Sequence, residues 1–278
     1  MKNNKGFLSV TVLYSFFLVF LSLMMFIIVN TVTNRNLLNN LKKTIKNDIS
    51  DTNFANYLLN RYEAIGLTKM DNSYRYIGNN PANYVQINNE KYRIIGVIDG
   101  KVKLITTSIV SNSWDKNNQN DYTKSSIYTY LNTDYSNSID LNYIEDATWY
   151  VRKLDYNITS TSSTSEIIKA EISENQNNGV GNIGNTISAK IGLPYISDYI
   201  YSGNNSITKE NNWLFTSNMW FITSIENNMI QSFYLTNAGT IASANVNESK
   251  AIKPCFYLKG NIKYISGTGT ESDPYKVG

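Results

Sequence analysis

The chain has 278 residues, 17% of them charged, and a formal net charge of +3. It contains no histidine and one cysteine, which excludes Ser–His and Cys–His nucleophile pairs, an internal disulfide and a thiolate cage. Residues 1–68 hold seven Lys/Arg against three Asp/Glu, and residues 69–278 hold 18 against 19; the larger part lacks the basic excess of a nucleic-acid footprint, and no nucleic-acid partner is expected.

No charged residue lies between Lys5 and Arg35. Residues 7–29 form an apolar run of about 23 residues, roughly 34 Å of helix, enough to cross a bilayer core of about 30 Å. Three readings compete. A cleaved secretory signal has a shorter apolar core and a small-x-small site, which Ile27-Ile-Val-Asn-Thr-Val-Thr does not supply. A plain signal anchor fits the length. The third rests on Lys5-Gly6 followed at once by Phe7-Leu8-Ser9-Val10-Thr11. This junction resembles a prepilin leader, in which a short basic leader ends in glycine, phenylalanine comes next and an apolar helix follows. The resemblance implies cleavage between Gly6 and Phe7, a leader over residues 1–6 and a transmembrane helix over 7–29. It departs at Thr11, where the family carries Glu. A carboxylate in the membrane costs about 2.5–3.5 kcal/mol and is kept only for a partner, in pilins the amine of a neighbouring subunit. Thr11 therefore fits a minor pilin or pseudopilin better than a repeating filament subunit.

Lys2 and Lys5 flank one side of the run and Arg35, Lys42, Lys43 and Lys46 the other, so the positive-inside rule does not orient it. The leader pattern and the large C-terminal part place that part outside the cell, on a single-pass protein of the cell membrane. Neither Gly nor Pro occurs between residues 7 and 65, and a helical stalk is expected over 30–68. Leu37, Leu38, Leu41, Ile45 and Ile49 fall at helical spacing. Ser50-Asp51 is the expected cap of a second helix, with Phe54, Tyr57, Leu58, Tyr62 and Ile65 on one face and Gly66 at its end. These faces suit packing on the protein's own head or on the helices of other pilin-like subunits.

Residues 69–278 read as an α+β head, strand-rich with short helices and long loops, expected to fold alone. Tyr84-Val-Gln-Ile, Asn88-Asn89 and Lys91-Tyr-Arg-Ile-Ile-Gly-Val-Ile read as a hairpin; Asp99-Gly100 turns the chain into a third strand, Lys101-Val-Lys-Leu-Ile-Thr-Thr. Lys124-Ser-Ser-Ile-Tyr-Thr-Tyr-Leu-Asn reads as a short helix, residues 159–185 as loop, and 187–191, 220–223, 231–235 and 253–258 as strands. Asn237-Ala-Gly is a turn.

Six segments carry a second resemblance: Tyr92-Arg-Ile-Ile-Gly-Val, Ile127-Tyr-Thr-Tyr-Leu-Asn, Lys190-Ile-Gly-Leu-Pro-Tyr-Ile-Ser-Asp-Tyr, Trp220-Phe-Ile-Thr, Ile252-Lys-Pro-Cys-Phe-Tyr-Leu-Lys and Ser266-Gly-Thr-Gly-Thr-Glu-Ser-Asp-Pro-Tyr. In this order they resemble an uncharacterised surface domain of Firmicutes, over roughly residues 84–278, whose fold is similar to the C-type-lectin-like fold shared with formylglycine-generating enzymes. The resemblance implies fold and location, and no chemistry. The sugar-binding Glu-Pro-Asn and Trp-Asn-Asp motifs of C-type lectins are absent, as is a cysteine pair for the copper site of the enzymes.

Candidate sites are few. Gly179-Val-Gly181-Asn-Ile-Gly184 matches G-x-G-x-x-G, but Glu174-Asn-Gln-Asn-Asn precedes it where a dinucleotide site needs a strand. Asp115, Asn117 and Asp121 resemble the start of a calcium loop; Asn120 at the sixth position and Ser126 at the twelfth exclude a standard EF-hand, so these are weak metal candidates. Glu145 and Asp146 are adjacent, whereas an acid–base pair should converge. Cys255 in its apolar stretch reads as a buried, inert thiol. The remaining lead is aromatic: Trp213, Trp220, Phe221, Tyr195, Tyr199 and Tyr201 lie close in sequence, with Asn211, Asn212, Ser217 and Asn218 beside them. Trp213, Asn218, Trp220 and Phe221 are the candidate ligand-binding residues; core packing is the competing reading. No cofactor is expected. The expected function is binding or adhesion rather than catalysis, with membrane lipid, a glycan or a cell-surface protein as partners. A plain anchored receptor and, less favoured, a surface enzyme acting on wall or glycan are the alternatives.

Overall fold

The computed structural model of the chain describes residues 5–172 and 186–278. They form two compact units that divide between Asp51 and Thr52. The first is one helix, Lys5–Asp51, of 47 residues. Within it Val12–Asn40 is long and apolar enough to span a membrane, with a mean hydropathy of 2.7. Its apolar side chains are exposed, Phe16 at 71% and Phe26 at 70%. Ser22 and Thr31 turn their hydroxyls back to the carbonyls of Val19 and Ile27, which hides both donors inside an apolar segment.

The second unit is mixed α+β, with strands dominant and helices short. It opens earlier than the expected boundary at residue 69. Asn53, not Ser50-Asp51, caps the helix Phe54–Leu59, its side chain accepting from the Asn56 amide at 2.8 Å. That helix ends at Leu59, and turns carry residues 60–66. Phe54 and Leu58 are buried, and the Tyr57 ring lies 3.8 Å from Tyr264. The apolar stripe read as stalk here belongs to the core of the head.

Among the described residues the strands form a nine-stranded sheet, a six-stranded sheet and a two-stranded ribbon. The path of the larger sheet runs Ile191–Gly192, Cys255–Tyr257, Lys101–Thr106, Glu90–Ile98, Tyr84–Ile87, Tyr275–Val277, Tyr264–Ser266; the hairpin Leu67–Met70/Ser73–Tyr76 joins it through Glu90–Ile98. The two expected hairpins are its centre. Ile87 pairs with Glu90 across Asn88-Asn89, and Ile98 with Lys101 across Asp99-Gly100; Asp99 and Gly100 both take positive φ, the geometry that Asp-Gly supplies in a two-residue hairpin loop. The smaller sheet runs Ile241–Asn245, Gln231–Leu235, Met219–Ile225, Ser249–Ile252, Val110–Ser113, with Lys153–Leu154 added to Met219–Ile225. Ser126–Asn132 is the expected short helix, capped by Ser125.

The stretch 159–185 is not all loop. Thr164–Ile172 is a helix with Ile167, Ile168 and Ala170 buried, three apolar or small residues on one side being enough once other elements of the head are there to cover them. The motif Gly179–Gly184 lies outside the described residues.

Candidate functional site

The tryptophans are core. Each of the four is buried, and each indole N–H donates to a backbone carbonyl: Trp114 to Phe221, Trp149 to Ala189, Trp213 to Tyr76 and Trp220 to Asn112. Phe221 is fully buried as well. Trp213, Trp220 and Phe221 are therefore corrected from ligand residues to packing residues: Trp220 and Phe221 lie on Met219–Ile225, a strand inside the smaller sheet that is buried throughout, and Trp213 is buried in the turn before it. Asn218 alone of that group is exposed; it takes φ 56° in a turn, and its carbonyl accepts from Ala251. Trp213→Ala should remove the Tyr76 bond and the contact with the Arg93 guanidinium 4.5 Å from the ring. An expected cost of about 3–5 kcal/mol would be read as a lowered urea midpoint.

Asp115 and Asp121 also have other work. Asp115 is buried, and its carboxylate accepts from the amides of Asn117, Gln119 and Ser126. Asp121 caps the turn Tyr122–Lys124 through Thr123 and pairs with Lys124. Among the described residues no group of three or more His, Cys, Asp or Glu could hold a metal ion. Glu145 pairs with Lys101 and Asp146 with Lys190, so the two acids diverge to separate lysines.

The head instead offers a cleft of about 870 Å³. Its walls bring together parts remote in sequence: the hairpin residues Asp71–Arg75, the turn at Asp99, the strand Ala147–Tyr150, the exposed side of Thr164–Ile172, and Tyr195, Tyr201 and Tyr257. Tyr195 and Tyr201 were part of the sequence's aromatic group. Tyr199 is not in the cleft; its hydroxyl donates to the Gly239 carbonyl in the core.

Beneath the cleft lies a buried charge cluster. Arg75 and Lys103 both pair with Asp198, at 2.7 and 2.6 Å, and all three side chains are 0–3% exposed. Sheet register builds it. Arg75 stands opposite Gly96, and Gly96 opposite Lys103, so the two cations flank a glycine on one face of three adjacent strands. A Cβ at Gly96 would meet the Tyr74 carbonyl oxygen at 2.2 Å and the Arg75 stem at 2.9 Å. Only glycine lets Arg75 cross the sheet to a carboxylate shared with Lys103. Asp198 reaches from the first turn of Ile196–Ser202, where it also accepts from the Tyr195 amide.

Burial works against the Asp198 carboxylate, but Lys103 and Arg75 hold it below its ordinary range. Burial likewise works against the Lys103 ammonium, yet Asp198 carries its pKa above the ordinary lysine value. Lys103 lies 4.1 Å from the Tyr195 ring centre and 5.7 Å from that of Tyr257. Burial pushes both phenols up, so they stay neutral donors and acceptors. Arg75 also donates from Nε to Ser73 and lies against the Tyr201 ring, whose hydroxyl donates to Asp71. The next buried acid, Glu171, accepts from the Ile196 and Ser197 amides and the Thr223 hydroxyl, and burial pushes its carboxyl up. Cys255 is buried with its thiol pushed up, an inert state. The cleft thus presents rings, hydroxyls and paired charges, with each of its acids engaged or at the rim.

No family model matches the chain, no curated protein matches it, and no solved structure matches its fold.

The cleft residues left little trace in sequence. Tyr74-Arg75-Tyr76 and Lys101-Val-Lys103-Leu show period-2 alternation, which sets Arg75 against its neighbours and puts Lys101 and Lys103 on one face. Nothing local says that this face is covered.

Proposed function

We propose that the chain is a single-pass protein of the cell membrane that displays its head outside and uses it to bind a glycan or a cell-surface protein. One observation carries this reading: the uninterrupted helix Lys5–Asp51, whose exposed apolar stretch Val12–Asn40 has no stable place in water. The junction Lys5-Gly6-Phe7 supports a pilin-like leader cut after Gly6, and Thr11 supports a minor pilin or pseudopilin role. The strand-rich head with short helices suits a C-type-lectin-like fold. Binding is favoured over catalysis because the chain has no histidine and Glu145 and Asp146 turn to separate lysines.

Thr11 also favours a second reading, a plain signal-anchored receptor that enters no filament, since the carboxylate that seats a pilin beside its neighbour is missing. Mass spectrometry of the chain purified from native membranes separates the two. A mature N-terminus at Phe7 is the expected result; an intact Met1 would leave the anchored receptor. Trypsin added to intact cells should release head peptides. A head that is cut only after lysis would overturn external display.

A further inference from the structure

The cleft is the feature whose chemistry narrows its ligand. We propose that it binds a neutral, hydroxyl-rich saccharide. This rests on the reading of the head as a binding module and names the ligand class for it.

The charge of the site comes first. Arg75, Lys101 and Lys169 line the cleft, with Lys103 beneath. Asp71 and Asp99 line it too, with Glu145 on Lys101 and Asp198 on Arg75 and Lys103. Four cations meet four anions. An anionic ligand would bring a net charge to a site whose named charges already balance. A neutral ligand disturbs none of them.

The walls come second. Apolar residues are limited to Ile98, Ala147, Ile168 and Ile172, so a peptide's apolar side chains or a lipid tail would find little surface. Most small-molecule pockets are mainly apolar; this one is not. Its rings are all tyrosines: Tyr150 is half-buried and gives a flat face for a sugar's C–H side, while Tyr195, Tyr201 and Tyr257 are buried with their rings set against Lys103 and Arg75. At the rim Asn72, Asp99, Thr148 and Ser165 are exposed and line the cleft. They supply donors and acceptors that a ligand with few polar groups would leave unmatched. A volume of about 870 Å³ has room for a short oligosaccharide rather than a single sugar.

The test uses the full chain in a detergent without a sugar head group, with titration calorimetry. The probes are neutral tetrasaccharides (malto-, cello-, manno- and chito-tetraose), tetragalacturonate as the acidic counterpart, and tetra-alanine as the peptide. At least one neutral tetrasaccharide should bind, with an affinity changed less than about threefold between low and high salt. Ser165→Tyr, which fills the cleft from an exposed position, should weaken it by about tenfold or more with the melting temperature unchanged. Stronger binding of tetragalacturonate or tetra-alanine, or no binding of any neutral probe, would overturn the proposal. Those results leave external display standing, because that reading falls only if the head resists trypsin on intact cells.

Discussion

A fragment of residues 52–278 is expected to melt as one cooperative unit, and a fragment of residues 69–278 is expected not to. The difference is the helix Phe54–Leu59. Phe54 and Leu58 are 1% and 0% exposed. The Phe54 ring meets Tyr275 at 5.7 Å edge-on, and Tyr57 stacks on Tyr264. The Phe54 amide also donates to the Ile262 carbonyl at 2.7 Å, tying this helix to the end of the chain. Removing a buried Phe or Leu costs about 2–5 kcal/mol each, and a domain's whole stability is about 5–15 kcal/mol. Losing the helix outright also uncovers Tyr264 and Tyr275. The expectation that the head folds from residue 69 therefore gives way to a start at Thr52. Differential scanning calorimetry of both fragments, with Leu58→Ala in the longer one as an intermediate step, checks it. A sharp melt from 69–278 would mean that the helix is an accessory.

What the sequence could show follows from the range of each signal. Asp99-Gly100 and Asn88-Asn89 act over four residues, and both hairpins are where those dipeptides put them. The apolar run of the N-terminal helix needs only length and hydropathy. The buried cluster depends on register between strands separated in sequence: Arg75 finds Lys103 through Gly96, and both find Asp198 about a hundred residues on. No local pattern carries such a meeting. The tryptophans misled for a related reason. Asn and Ser neighbours suggested a wet surface, but Asn212 is itself buried, donating to the Tyr199 carbonyl and accepting from Ser202 and Leu214. In a chain this rich in asparagine, the residue also fills satisfied interior positions, as Asn83 and Asn120 do.

Asp198→Ala is expected to be the most damaging single change in the head. It would leave the Arg75 and Lys103 side chains, 3% and 0% exposed, with no carboxylate between them. Breaking a buried pair by removing one partner costs about 3–5 kcal/mol, and here one carboxylate serves two cations and the Tyr195 amide as well. The sign with pH follows from the two shifts. Asp198 has a native pKa below its ordinary 3.8, so its contribution is complete above that value and is lost as pH falls through the lower native one. Lys103 has a native pKa above its ordinary 10.5, so its contribution is complete below that value and is lost as pH rises through the higher native one. The native protein should therefore hold the cluster's stabilisation across the whole neutral range. Urea unfolding of Asp198→Ala at pH 7 should show the full loss. The triple change Arg75→Met, Lys103→Met and Asp198→Leu should recover much of it, because matched apolar groups leave no charge unpaired. If the single variant unfolds within about 1 kcal/mol of the native protein, water or a neighbouring acid reaches the two cations, and the cluster is not the closed floor that the cleft rests on.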